Sequence, residues 1–215
     1  MSARPCPLCE SPKTQKISFQ KEERLYWRCG ECDLRFLDPK HFLTPEEEKK
    51  RYSYHQNDEN DSGYREFLKP LFDLLRPALR PGMEGLDFGA GKSSALARLF
   101  EEEGFSVTRF DPYFFPDQKA LARTYDFVFT SEVVEHFFFP RREWDLLHRL
   151  LCPQGVLGVM TSLYDPSKMD FEDWYYRKDP THVSFYGEST LRWIQRHYGF
   201  SDLQILPPRT CCFQK

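Results

Sequence analysis

Two groups of residues have types and spacing that can do chemistry. The first is Cys6-Pro7-Leu8-Cys9 with Cys29-Gly30-Glu31-Cys32, two C-x-x-C pairs separated by nineteen residues. Each pair turns two thiolates toward one point, and four thiolates together close a tetrahedral shell around one zinc ion. With cysteine at all four positions no place is left for water, so the ion's role is structural. A rubredoxin-like iron site is the alternative for the same ligands. The second group is Glu84-Gly85-Leu86-Asp87-Phe88-Gly89-Ala90-Gly91-Lys92-Ser93-Ser94. An apolar run ends in an acid, a glycine-rich turn follows, and residues 94–103 read as helix. Open α/β sheets cradle nucleotide-type ligands this way: glycines admit the ligand to the backbone, and a helix N-terminus presents N–H groups to it.

Three ligands use such a turn. A nucleoside triphosphate is suggested by Gly89-Ala90-Gly91-Lys92-Ser93, but Leu86 stands where the first glycine of a phosphate loop belongs. The later strand over 125–130 also lacks the terminal aspartate that would hold magnesium. A dinucleotide is suggested by Gly89-x-Gly91-x-x-Ser94 with Asp111 twenty residues beyond Gly91, where a ribose-binding acid belongs. Asp87, two residues before the first glycine, would repel a pyrophosphate. S-adenosylmethionine accommodates both acids: Asp87 faces its methionine end and Asp111 its ribose hydroxyls.

The elements that must position these groups follow in order. Residues 16–19 and 24–28 read as a hairpin between the cysteine pairs, making residues 1–40 a zinc ribbon, too small to fold without its metal. Residues 41–81 form a helical lid and linker. A helix starts at Thr44-Pro45-Glu46, with Thr44 as its cap and glutamates at the positive end of its dipole. Residues 52–64 are polar and aromatic without periodicity, either a solvated loop or a lid over the ligand. Residues 64–75 carry an apolar stripe through Phe67, Leu68, Leu71, Phe72 and Leu75. From residue 82 to 215 strands (86–88, 105–110, 125–130, 156–160) alternate with helices (94–103, 141–151, 189–197). The chain closes on a strand pair, 200–206 and 210–214. Alternation predicts a mainly parallel sheet with helices on both faces. Cys211 and Cys212 are expected as buried thiols.

Composition narrows the partners. The 215 residues are 40% hydrophobic and 29% charged, ordinary for a globular chain, while 16% aromatics with twenty Phe predict a ring-lined core and pocket. A net charge of −3 offers no basic field for nucleic acid. No apolar run reaches the roughly 20 residues that span a bilayer, and residues 1–5 lack the apolar core of a secretory signal. The expected location is the cytoplasm, where seven cysteines point to metal or burial rather than disulfides.

Leu86-Asp87-Phe88-Gly89-Ala90-Gly91 resembles motif I of class I S-adenosylmethionine-dependent methyltransferases. Asp111 matches their second-strand acid, and Tyr125-Asp126-Phe127-Val128 with Ser131-Glu132-Val133-Val134-Glu135-His136 looks like their fourth strand and its loop. Leu150-Leu151-Cys152-Pro153-Gln154-Gly155 is similar to the turn before their fifth strand. Asp179-Pro180-Thr181-His182-Val183-Ser184-Phe185-Tyr186 resembles a late segment of many of these enzymes. The ribbon, with Tyr26-Trp27-Arg28-Cys29 and Phe36-Leu37-Asp38-Pro39, resembles the zinc-binding front end of a bacterial branch, close to methyltransferase types 11 and 23. The resemblance implies a Rossmann-like fold of about seven strands, the third truncated because few residues separate Asp111 from Tyr125. It implies methyl transfer to a small-molecule acceptor on oxygen or carbon, with S-adenosylhomocysteine as product. The cofactor residues would be Asp87, Gly89, Ala90, Gly91, Asp111 and Glu132.

His136 and His182 are the candidate general bases, since histidine titrates near neutrality. Glu135 reads as a solvated or helix-capping acid. Trp174, Tyr175 and Tyr176 are candidate acceptor-pocket rings, and Asp117 and Gln118 stand where an adenine contact is expected. Lys92 departs from the family turn, where a small residue is commoner. Two other functions fit the same residues: a regulatory module that binds the cofactor without turnover, and an RNA methyltransferase clamping its substrate with the ribbon. The net charge argues against the second.

Overall fold

The computed structural model describes residues 4–19, 23–53 and 59–215. In chain order come β1 (Thr14–Ile17), β2 (Tyr26–Cys29) and β3 (Arg35–Leu37), then helices α1 (Pro45–Ser53) and α2 (Ser62–Leu75). The central part alternates: β4 (Glu84–Phe88), α3 (Ala95–Glu102), β5 (Ser106–Phe110), β6 (Tyr125–Ser131), α4 (Pro140–Leu150) and β7 (Leu151–Met160). The last part holds β8 (Ser184–Phe185), α5 (Glu188–Tyr198), β9 (Asp202–Leu206) and β10 (Thr210–Gln214).

Six strands form the large sheet in the order β5-β4-β6-β7-β10-β9. The first four run parallel and β10 is antiparallel to both neighbours. The expected seventh strand is missing because residues 112–124 supply only a turn closed by an Asp111–Phe115 bridge and one 3-10 turn, Gln118–Leu121. β7 starts earlier than expected, at Leu151, and pairs with Tyr125 across an irregularity where Gln154 takes φ 64°. Pro153-Gln154-Gly155 thus lies inside the strand instead of ahead of it.

Local chemistry explains the helix ends. The Ser94 hydroxyl accepts the Ala97 N–H at 3.0 Å and Asp61 accepts the Tyr64 N–H at 2.7 Å, both side-chain N-caps. Thr44 and Glu47 form a reciprocal capping box at α1, as the sequence suggests. α5 stops at Gly199, whose φ of 69° suits a residue without Cβ.

Both sheet faces are covered. On one, α2 and α3 bury Leu68, Leu71, Leu75 and Phe100 against Phe127 and Phe129, with Phe100 centred 5.1 Å from each of those rings. On the other, one apolar cluster joins Trp144, Leu147 and Phe213 of the α/β part to Cys6, Leu8, Leu34 and Phe36 near the N-terminus.

The N-terminal hairpin lies slightly outside the expected strand limits, and it gains a third strand that the sequence did not announce. β3 then pairs with β8, Arg35 opposite Phe185 and Phe36 opposite Ser184, so the small sheet takes its fourth strand from far along the chain. Beyond this pairing the Leu37 N–H donates to the Val183 carbonyl (2.9 Å) and the Val183 N–H donates to the Glu135 carbonyl (2.8 Å).

Gly158 on β7 is where α2 comes nearest the sheet: a Cβ there would lie 2.5 Å from Cδ1 of Leu75 and 3.0 Å from Cδ1 of Leu71, both fully buried. Gly158→Ala should therefore destabilise the protein by about 1–3 kcal/mol, seen as a lower thermal midpoint. An unchanged midpoint would show that α2 has slack against the sheet.

Candidate functional site

The glycine turn builds its own support. Gly89 and Gly91 take φ of 86° and 61°, and a Cβ on Gly89 would sit 2.4 Å from Val133. The Gly89 and Ala90 N–H groups donate to the Phe110 carbonyl at 2.8 and 3.0 Å, and the Gly91 N–H donates to Asp111 Oδ2 at 3.0 Å. These three N–H groups are used inside the chain and tie the turn to the end of β5. Asp111 also accepts the Tyr113 and Phe114 N–H groups through Oδ1. A carboxylate has about four lone-pair positions, so one direction remains for a hydroxyl donor. Asp87 is buried and accepts the Ser94 hydroxyl. Burial raises its carboxyl to about 7, against the lowering effect of that hydrogen bond.

The turn forms one wall of a cleft of about 1050 Å³ at the C-terminal ends of β4, β5 and β6. Asp87, Gly89, Ala90, Gly91, Asp111, Glu132, His136 and His182 all line it. Gln118 lines it too, whereas Asp117 caps the turn at Lys119 outside the lining. Tyr175 and Tyr176 reach it, but Trp174 packs away in a cluster with Tyr164, Phe171 and Phe185. Lys92 holds its ammonium 5.7 Å from the Phe114 ring centre. α1 crosses the mouth, where Arg51 pairs with Asp179 at 2.8 Å and Glu48 accepts the Tyr113 hydroxyl at 3.3 Å. Within the expected loop or lid over 52–64, residues 54–58 lie outside the described residues.

Next to the turn, on the loop after β6 whose Val133 packs on Gly89, sits a polar cluster. Glu132 adopts φ 54°, uncommon without glycine, and its N–H donates to the Met160 carbonyl at 2.8 Å. Glu135, expected to be solvated or a helix cap, is fully buried: Val134–His136 form a 3-10 turn that aims it inward beneath Tyr176. The Tyr176 hydroxyl lies 2.5 Å from Glu135 Oε1, 3.1 Å from Glu132 Oε2 and 3.2 Å from Thr161 Oγ1. One phenol proton cannot serve two carboxylates, so a carboxyl must carry a proton of its own. Burial, then repulsion from Glu135, pushes Glu132 up to about 8, and burial pushes Glu135 up to about 7.

Two imidazoles complete the cluster, their ring centres 4.8 Å apart. His136 Nδ1 lies 3.0 Å from the Thr181 carbonyl and His182 Nδ1 lies 2.7 Å from the Tyr176 carbonyl. Carbonyls only accept, so each Nδ1 carries hydrogen and each Nε2 carries a lone pair. Burial, then the nearby His136, brings His182 down to about 4, so its ring is neutral. Tyr176 and Glu135 were the members sequence reasoning undervalued. The signal was a second acid three residues after Glu132 in the loop that follows β6.

The four cysteines converge as expected. Cys6 Sγ lies 3.5 Å from Cys32 Sγ and Cys9 Sγ lies 3.4 Å from Cys29 Sγ. Thiolates bound at about 2.3 Å around tetrahedral zinc stand about 3.8 Å apart, so the arrangement fits with small outward movement. Glu10 and Asp33, each four residues after the first cysteine of a pair, share φ of 61° and 62°, so both knuckles have the same turn.

Residues 60–205 match the family described as the methyltransferase domain. The chain belongs to that family and is an S-adenosylmethionine-dependent methyltransferase. The fold resembles the 1,6-didemethyltoxoflavin-N1-methyltransferase of Burkholderia thailandensis, solved with 1,6-didemethyltoxoflavin and S-adenosylhomocysteine. That likeness has a TM-score of 0.57 at 16% identity, over 92% of this chain and 98% of that one. A second solved structure is a SAM-dependent methyltransferase from Archaeoglobus fulgidus, with TM-score 0.53 and 19% identity over 70% of this chain and 94% of that one. No curated protein matches the sequence. Among the described residues no helix is long and apolar enough to cross a membrane.

Asp87 makes a pH-dependent stability test. Its carboxyl is raised from 3.8 to about 7, so the folded state holds the proton more tightly than the unfolded state between those values. Stability from this group is present at low pH and lost as pH rises toward 7. Asp87→Asn should raise stability at pH 8 by roughly 2 kcal/mol, with the gain shrinking toward pH 4. Thermal unfolding of both proteins across that range measures it; a gain that does not vary with pH would contradict the assignment.

Proposed function

We propose that the protein transfers the methyl group of S-adenosylmethionine to an oxygen or carbon nucleophile of a small-molecule acceptor. The observation that carries this reading is that the glycine turn and the cluster of Tyr176, Glu132, His136 and His182 line one cleft. At about 1050 Å³ the cleft matches the upper end of single-ligand pockets, about 1,000 Å³, and leaves room for an acceptor beside part of the cofactor. Bound S-adenosylmethionine supplies an electrophilic methyl on a sulfonium; the protein's work is alignment, exclusion of water and proton handling.

Asp87 attracts the ammonium at the methionine end, and the presence of that cation offsets the burial of its charge. Gly89, Ala90 and Gly91 bring bare backbone to the ligand, Asp111 takes a ribose hydroxyl on its remaining lone pair, and Glu132, on the loop after β6, meets the cofactor where the acceptor end of the cleft begins. Gln118, which lines the cleft, is the residue proposed for the adenine. His136 is the favoured base, because Glu135 Oε1 lies 3.9 Å from its Nε2 and would stabilise the imidazolium. His182, held neutral, positions the acceptor. Exposed rings of Phe139 and Tyr175 flank the mouth, which suits an acceptor with an apolar body. The Burkholderia enzyme, whose structure contains a small heterocyclic substrate, is consistent with an acceptor of this size. Cys6, Cys9, Cys29 and Cys32 hold one structural zinc, and a reducing cytoplasm would keep those thiols available.

The direct test is incubation with methyl-labelled S-adenosylmethionine and a metabolite extract, followed by identification of the labelled product. His136→Ala and His182→Ala should leave cofactor affinity within about twofold, and at least one should slow turnover by about 10²-fold or more. Two fully active variants would remove both histidines from the reaction. Asp87→Asn should weaken cofactor binding about tenfold, the loss of one charge-assisted contact.

Zinc is tested separately. Metal analysis should give about one zinc per chain. Because β3 holds Val183 and so His182, Cys9→Ser should lower turnover more than cofactor affinity. A fully folded, metal-free and fully active protein would overturn the zinc assignment.

A further inference from the structure

The Tyr176–glutamate–histidine cluster has more donor atoms than a proton transfer needs. A carboxylate oxygen of Glu135 and one ring nitrogen each from His136 and His182 lie within 4.8 Å of one another. Three independent features give these atoms the character of ligands. Both Nδ1 atoms are committed to backbone carbonyls, at 3.0 and 2.7 Å, which leaves both Nε2 atoms as lone-pair donors and fixes the ring planes. Metal-binding histidines are oriented by just such hydrogen bonds. Glu135 is fully buried, with Oε1 held by Tyr176 and Oε2 without a hydrogen-bond partner among the described residues. Glu132, tied to the same phenol, likewise has a buried Oε1 without one. A buried, unsatisfied carboxylate oxygen costs about 1–3 kcal/mol or more unless a ligand satisfies it.

We propose that Glu135, His136 and His182, with Glu132 beside them, bind a divalent first-row transition cation at the acceptor end of the cleft, separate from the cysteine site. Two imidazoles and a carboxylate suit such ions, and three protein ligands leave positions open for substrate. Neighbouring donors around an ion at about 2.1 Å stand about 3.0–3.4 Å apart, so the side chains draw in by about 1 Å on binding. The thiolates of the ribbon are soft ligands and the cleft cluster is N/O, so the two sites separate by metal preference.

The ion deepens the reading of the previous section, on which its chemical role rests. It selects an acceptor with a hydroxyl group. The hydroxyl oxygen binds the ion, its proton is released to solvent, and the resulting oxyanion attacks the methyl carbon. The C–O bond forms as the C–S bond breaks, and the bonding pair stays on sulfur, giving a methyl ether and S-adenosylhomocysteine. With the ion bound, the imidazoles serve as ligands, and the ion replaces His136 as the agent that acidifies the acceptor.

The experiment uses the full chain with its ribbon loaded with zinc, titrated with Mn²⁺ and followed by the loss of the free-ion paramagnetic resonance signal. One Mn²⁺ per chain is expected. Glu135→Gln and His182→Gln should each weaken binding at least tenfold while calorimetry shows S-adenosylmethionine affinity within twofold. In the unsubstituted protein, bound Mn²⁺ should broaden the ring-nitrogen NMR signals of His136 and His182 ahead of the other histidines, a readout that survives if a variant fails to fold. No Mn²⁺ bound, unchanged affinity in both folded variants, or unbroadened signals from the two rings would each overturn the site. Failure of the two readings is distinguishable. Mn²⁺ binding without S-adenosylmethionine binding would sink the methyl-transfer reading and leave the cation site. Methyl transfer by a protein that binds no Mn²⁺ would sink the cation site and leave the transfer reading.

Discussion

Val183 is hydrogen-bonded on both sides, its carbonyl to the N–H of Leu37 and its N–H to the carbonyl of Glu135. That doubly bonded residue joins three parts of the molecule: the small N-terminal sheet, the loop that follows β6, and the segment carrying His182. A loop histidine ordinarily samples several positions, and ordering it costs backbone entropy of about 1–2 kcal/mol per residue. Here two strand-like hydrogen bonds and the β3–β8 pairing hold it. The ribbon is therefore part of the scaffold of the cleft. Its cysteine knuckles fix β2 and β3, β3 fixes Val183, and Val183 fixes the distance between His182 and Glu135.

The same cleft concentrates groups that weaken the fold. Asp87, Glu132 and Glu135 all have carboxyls raised by burial, so each ionised form is less stable here than in water. A sequence selected for stability alone would place apolar residues at these positions. Their survival inside a chain with ample phenylalanine to spare marks the cleft as the place where stability gives way to chemistry. The opposite arrangement holds around Asp111, whose carboxylate accepts three backbone N–H groups and stiffens the turn. One acid is therefore satisfied before any ligand arrives, and the others still lack something.

The fold was legible where the pattern was local. Thr44 as a cap, Gly199 as a stop, the alternating strands and helices and the paired cysteines all follow from neighbouring residues. What escaped notice depended on partners far along the chain. β3 is three residues long and makes sense as a strand only beside β2 and β8. Glu135 reads as a polar residue in a loop until Tyr176, forty-one residues later, closes over it. The Gly89 and Ala90 amides seem available until the Phe110 carbonyl is found beside them. Trp174 and Tyr176 are two residues apart in one aromatic run and share one buried cluster, yet only Tyr176 also lines the cleft. No periodicity separates them, because the segment from Trp174 to Asp179 is a single 3-10 turn with its two flanking residues.

The two ends of the cleft also differ in how they are assembled. The glycine turn is finished by short-range contacts among β4, β5 and Asp111, all within about thirty residues of chain. The opposite end draws Glu132, Glu135 and His136 from the loop after β6, and Tyr176 and His182 from a segment beyond β7. α1 then supplies Arg51 to Asp179 at the rim. Assembly from distant segments makes this end the more sensitive to change elsewhere: a shift in the ribbon, in α1 or in the Tyr176 turn reaches it through one or two hydrogen bonds. On the reading proposed above, variation of the acceptor can thus proceed at this end without disturbing the glycine turn. A fold that keeps the proposed cofactor grip local and the proposed acceptor end composite can change substrate while retaining its reaction.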